Sequence, residues 1–117
     1  MEIQAVVAST FKDNENGWSY SDSALADLAK SAQGKPINYM KRNIGIIESA
    51  KHEGGKVTVT ALISKPEEIL NKKLFLVPGG LTDFDTVGDI IDACEAHQFF
   101  FTDQPSDKTL TAVERIY

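Results

Sequence analysis

The segment from Gly34 to Ile63 constrains the fold most, because its turns and its strand faces are both written in residue types. Gly34 can take the left-handed backbone that ends a helix. Pro36 lacks an amide hydrogen and biases its predecessor toward extended geometry. Two apolar runs follow, residues 44–49 and 56–63, separated by His52-Glu53-Gly54-Gly55, whose paired glycines permit positive φ. That pattern predicts an antiparallel hairpin with its turn at 52–55. In the second run Val57, Val59 and Ala61 fall on one face and Thr58, Thr60 and Leu62 on the other, as a half-buried strand requires.

The flanking segments read less uniformly. Residues 2–10 set Ile3, Ala5 and Val7 against Gln4, Val6 and Ala8, which predicts an N-terminal strand. Residues 12–17 are polar and turn-forming and predict an exposed loop, after which Trp18 and Tyr20 return the chain to the body. Over 22–33, Leu25, Leu28, Ala29 and Ala32 mark one helical face, with Ser21 or Asp22 able to cap the free amides. Pro66, Glu67 and Glu68 ahead of Lys72 and Lys73 match a helix dipole and predict a short helix over 66–73. Residues 74–77 should be extended, and Pro78-Gly79-Gly80 should break them. The spacing of Val87, Ile90, Ile91 and Cys94, with Asp85 as a cap, predicts a further helix over 86–98. A buried strand over 99–102, a turn over 103–107 and a last strand within 109–117, able to pair with the first, complete the reading.

Composition narrows the function classes. A chain of 117 residues, 42% hydrophobic and 25% charged, is expected to form one globular domain over 1–117. Its apolar runs, such as 61–63 and 99–101, fall far short of the roughly 20 residues that cross a bilayer, so no membrane partner is expected. The start lacks the pattern of a secretory signal, so a cytoplasmic origin is expected. Cys94 is the only cysteine, which rules out an intramolecular disulfide and reads as a buried free thiol. A net charge of −5 argues against nucleic acid, whose binding needs clustered cations. The charge is unevenly spread: residues 30–56 carry six cations against two carboxylates, and residues 81–107 carry seven carboxylates and no Lys or Arg. Placed at opposite ends of a fold, such segments would let copies meet through complementary potentials.

Candidate chemistries fare poorly. A serine or cysteine nucleophile needs a base within hydrogen-bond reach, and the chain offers only His52, in the expected turn, and His97, beside Gln98. The run Asp83-Phe84-Asp85-Thr86-Val87-Gly88-Asp89 lacks the ligand spacing and terminal Glu of a calcium loop and reads as turn-forming and helix-capping aspartates. Gly79-Gly80 lacks the Lys-Ser/Thr of a phosphate loop. No catalytic, cofactor-binding or metal-ligating residue is therefore expected.

Gly34-Lys35-Pro36-Ile37, then Ile44-Gly45-Ile46-Ile47, a glycine turn, and a strand ending in Ala61-Leu62-Ile63 together resemble the barrel segment of the head maturation (prohead) proteases of tailed bacteriophages. The likeness runs roughly over residues 34–107 and includes the turn following Phe100-Phe101-Thr102. In that family a catalytic His follows the entry and a catalytic Ser follows a later strand, and strands run through the counterpart of 86–98. The corresponding stretches here, Asn38-Tyr39-Met40-Lys41 and Val77-Pro78-Gly79-Gly80-Leu81, contain neither residue. Joined to the elements above, the resemblance implies an α+β fold, a small, mainly antiparallel β-barrel or rolled sheet with two or three short helices.

For function it implies a non-catalytic structural protein of a bacteriophage head, a decoration (cement) protein that binds and stabilises the capsid shell. Its partners would be the major capsid protein and neighbouring copies of itself, without cofactor, nucleic acid or membrane. Its location would be the virion, after assembly in the host cytoplasm. The N-terminal strand, the 12–20 loop and the tail are the expected contact regions. Two alternatives come from other classes. One is a maturation protease with a non-standard nucleophile, drawn from Ser49, Ser64 or Cys94 with one of the two histidines. The other is a small acidic inhibitor of a host nucleic-acid enzyme, presenting carboxylates from 83–107.

Overall fold

The computed structural model describes residues 1–10, 19–79, 82–88, 90–105, 110 and 112–115, with the backbone alone for 82–87, 114 and 115. The expected 12–17 loop, Trp18, Gly80-Leu81 and the later part of the 103–107 turn lie outside the described residues. The chain is mostly β. A seven-stranded sheet runs in the order β10 (Glu114–Arg115), β1 (Glu2–Ser9), β5 (Lys56–Ile63), β4 (Arg42–Glu53), β3 (Pro36–Tyr39), β9 (Gln98–Thr102), β6 (Phe75–Gly79). All of its pairings are antiparallel except that of β3 with β9. Its two edges approach each other: β6 packs on β1, and the Val113 amide donates to the Leu74 carbonyl at 2.8 Å. The sheet is thus nearly closed, barrel-like. The tail pairs with the first strand, Ile3 opposite Arg115, as the sequence suggests.

The hairpin β4–β5 forms where expected, and Val57, Val59 and Ala61 are buried. Its turn is tighter than 52–55. Glu53 pairs with Lys56, so only Gly54 and Gly55 turn, at φ 61° and 71°, and His52 lies in β4 itself. Two left-handed glycines suffice because that backbone twist matches the twist of the flanking strands. Along β1 the alternation fails after Val6: a register shift between Val6 and Ala8 turns Val7, Ala8 and Ser9 all inward.

One α-helix, α1 (Asp22–Ala32), is present among the described residues, rather than two or three helices. Ser21 caps it, its hydroxyl accepting from the Ala24 amide at 3.1 Å. Ala24, Leu25, Leu28 and Ala32 are buried against β4, β5 and a second sheet. Each buried leucine contributes roughly 2 kcal/mol against about 1 kcal/mol for the cap, so packing rather than capping holds the helix.

The expected helix over 66–73 is a single 3₁₀ turn, Pro66–Glu68. Asn71, at φ 64°, stops it, and Ile69 and Leu74 turn into the core. A helix so short does not recover the cost of its own nucleation. The expected helix over 86–98 is a strand hairpin. β7 (Thr82–Val87) pairs antiparallel with β8 (Ile90–Glu95), and β2 (Ser19–Tyr20) pairs parallel with β8 on its other side. Gly88, at φ 65°, interrupts any helix, and β-branched Val87, Ile90 and Ile91 suit the pleat. Pro78 and Gly79, expected to break a strand, end β6 instead. β6 is an edge strand, where a missing amide hydrogen costs nothing.

Candidate functional site

The two stretches in which the resemblance places catalytic groups flank β9. Asn38 of β3 stands in register with Phe100, and Phe100 with Val77 of β6. Two strand spacings separate the outer pair, about 10 Å. The Asn38 amide donates to Gln98 Oε1 at 2.6 Å, while the Phe100 ring lies over Gly79, where a Cβ would sit 2.6 Å from Cδ1 of the ring. This surface thus carries two paired neutral amides and an aromatic ring. Beside it Tyr39 meets Phe101 edge-to-face at 6.2 Å, and Lys72 Nζ sits 5.1 Å from the Tyr39 ring centroid. Arg42 pairs with Glu68.

The imidazoles and candidate nucleophiles are dispersed. His52 Nε2 lies 3.5 Å from Asp22 Oδ1 at the start of α1, and His97 is exposed between β8 and β9. Ser64 donates its hydroxyl proton to the Ile44 carbonyl at 3.2 Å, and Ser49 is exposed on β4. Cys94 is buried, with Sγ 3.5 Å from the Ala24 carbonyl. Burial pushes its thiol from 9.0 up to about 11, and the charge of Asp27 pushes the same way. At neutral pH it is a protonated thiol, the opposite of the low-pKa state that a cysteine nucleophile needs.

Asp27 and Ser31 have a role that sequence reading missed. The Ser31 hydroxyl accepts from the Ala96 amide at 2.9 Å and Asp27 Oδ2 from the Cys94 amide at 3.4 Å. The Ser21 amide donates to the Ile91 carbonyl at 2.9 Å. The polar side of α1 therefore supplies, along β8, the partners that β2 is too short to provide. The only advance signal was that Asp27 and Ser31 stand four apart, on one side of the helix.

Among the described residues, three surfaces stand exposed to partners. On the outer face of the large sheet, Leu62, Ile46 and Pro36 form one row across β5, β4 and β3, and Asn38, Phe100 and Val77 the next across β3, β9 and β6. Leu62, Ile46 and Phe100 are 43%, 45% and 39% exposed, well beyond what inward packing would leave. A shallow polar groove of about 600 Å³ follows along β1, β5 and β4, lined by Gln4, Ser49, Thr58 and Thr60 with Lys51 and Lys56. The third surface is β8, whose Ile90, Asp92 and Glu95 are exposed.

The N-terminal strand, expected as a contact region, lies between β5 and β10 and has sheet neighbours on both sides. Among the described residues no three of His, Cys, Asp and Glu gather to hold a metal ion. No helix among them is long and apolar enough to cross a membrane. No family model, curated protein or solved structure matches the chain.

Proposed function

We propose that this chain is a non-catalytic structural protein of a bacteriophage head, a decoration protein that binds the capsid shell through the outer face of its large sheet. One observation carries the reading. Where the family likeness would place proton transfer, the outer face holds the bonded amides of Asn38 and Gln98 and the exposed ring of Phe100 over Gly79. Leu62 and Ile46 extend that surface across neighbouring strands, so apolar anchors stand on a rigid support. Anchors of this kind, ringed by polar groups, supply most of the energy of protein interfaces. The thiol of Cys94, kept protonated and buried, weighs against the protease alternative.

Purified particles test the proposal. A decoration protein co-sediments with full heads in many copies per particle and leaves scaffold and capsid proteins uncut on incubation. Substoichiometric or absent chain in the particles, or cleavage of either substrate, refutes it.

A further inference from the structure

The turn between β3 and β4 is built against the preferences of its own backbone. Tyr39 pairs with Arg42, so the loop is Met40-Lys41 alone, at φ 52° and 66°. Two left-handed residues in a two-residue hairpin normally call for Asn-Gly or Asp-Gly, because other L-residues crowd their own carbonyls there. The departure places Met40, the most exposed of the large apolar residues described at 75%, at the tip of the hairpin. Strain of this kind persists where the surrounding structure enforces it, and it clusters at functional positions.

The surroundings of the tip are cationic. Residues 40–42 and 65–73 carry Lys41, Arg42, Lys65, Lys72 and Lys73 against Glu67 and Glu68, and Glu68 is already paired with Arg42. Lys72 Nζ reaches the Tyr39 hydroxyl at 3.4 Å, which holds the Lys72 cation beside the turn.

A complementary surface stands at the other end of the same strands. β3 begins just after α1, β9 begins just after β8, and the two run parallel to the end where the turn lies. α1 packs on β8, so β8 and the turn occupy opposite ends of β3 and β9. Residues 82–95 carry five carboxylates and no Lys or Arg. On β8, Asp92 and Glu95 are exposed, together with Ile90, an apolar residue 40% exposed. One end thus offers an apolar tip among cations, and the other an exposed apolar residue on the strand that also exposes Asp92 and Glu95.

We infer that the Met40-Lys41 turn of one copy docks on the β8 face of the next, Met40 against Ile90 and Lys41 against Asp92. The contact joins different surfaces of the two copies, so it propagates as a ring or a chain of subunits. The sequence-level split of charge between 30–56 and 81–107 is thereby refined. Lys51 lies in an ion pair with Glu53, far along β4 from the turn, so the cations that matter are Lys41 and its neighbours from 65–73. The contact rests on the assembly reading above but is tested without a capsid. A chain that stays monomeric yet decorates heads removes the contact alone, and one that self-associates yet never accompanies particles removes the head-protein reading alone.

Sedimentation velocity on the full chain supplies the test. Concentration-dependent association is expected at low ionic strength, and at about 0.5 M salt, where the screening length falls below about 5 Å, it weakens. Lys41→Glu and Asp92→Lys each weaken it by at least about tenfold, and the two together restore it, because the pair is re-formed with its signs exchanged. Met40→Asn with Lys41→Gly gives the turn its preferred residues. The melting temperature rises while association falls, whereas a turn of purely structural meaning would show the rise alone. A monomer at every concentration, association indifferent to salt, or no recovery in the charge-exchanged pair overturns the inference.

Discussion

Gly45 sits in β4, the central strand of the seven-stranded sheet, and replacing it with alanine separates steric from conformational cost. A Cβ there would stand 2.6 Å from the Leu62 carbonyl oxygen and 2.8 Å from Cδ1 of Ile63. The isoleucine methyl can rotate away. The carbonyl cannot, since Leu62 is held in register between Glu2 of β1 and Ile46 of β4. Relief therefore requires the β4–β5 ladder to spread by several tenths of an ångström. Overpacking of this kind costs about 2–3 kcal/mol, which for a chain of this size lowers the melting temperature by on the order of 10 °C. Gly54→Ala is the control. Gly54 has φ 61° with nothing within 4 Å of a Cβ, so it carries only the left-handed penalty of about 1 kcal/mol. Urea unfolding of both variants, at unchanged m-value, gives the comparison. If Gly45→Ala costs no more than Gly54→Ala, the close approach of β4 to the Leu62 carbonyl is refuted.

Other outcomes follow from the same contacts. Ser31→Ala leaves the Ala96 amide without its acceptor in a residue 1% exposed, so stability should fall by about 1–3 kcal/mol in denaturant unfolding, and amide exchange at Ala96 should quicken. Because the Cys94 thiol is raised in the folded state from 9.0 to about 11, its contribution to stability is complete below pH 9 and is lost as pH climbs toward 11. A thiol reagent at pH 8 should label the native chain far more slowly than the unfolded one, and equal rates would contradict the burial. If the proposed role in a phage head holds, Phe100→Asp, at an exposed position, should leave the melting temperature within a few degrees of the parent and remove the chain from purified heads. Retention at full copy number would clear the outer face of any part in shell binding.

What could be read from the sequence was what local chemistry determines. The glycine pair of the β4–β5 turn, the alternation of Val57, Val59 and Ala61, and the capped apolar face of α1 each act through neighbours a few residues away. The residues over 86–98 were misread because Val87, Ile90, Ile91 and Cys94 satisfy helical spacing, and the same residues serve in a bulged hairpin whose register shifts disturb strand alternation. The discriminating signal was Gly88-Asp89, a dipeptide that favours two-residue turns. The cause of the glycine in Ile44-Gly45-Ile46-Ile47 could not be read from its neighbours in sequence, since the Leu62 carbonyl it accommodates comes from the facing strand. The outer-face rows were equally hidden, because they join residues of five strands.

The small sheet shows why the acidic segment folds as strands at all. β8 meets β2 over only two residue pairs, Ser19 with Ile90 and Tyr20 with Ile91, and beyond them its inner edge would expose unpaired amides beside the core. An unmet buried amide costs about 1–3 kcal/mol, enough to undo a short strand. α1 meets that need with Asp27 and Ser31, while Leu25 and Leu28 of the same helix seal the core. Asp92 then stands exposed on β8, in a segment, 82–95, that carries no Lys or Arg. The exposed face of β8 is thus held in place by α1, which ties the proposed contact between copies to the helix beneath it. Ser31→Ala should therefore weaken association as well as stability, whereas Asp92→Lys should weaken association alone. Equal losses of stability in the two variants would break the link.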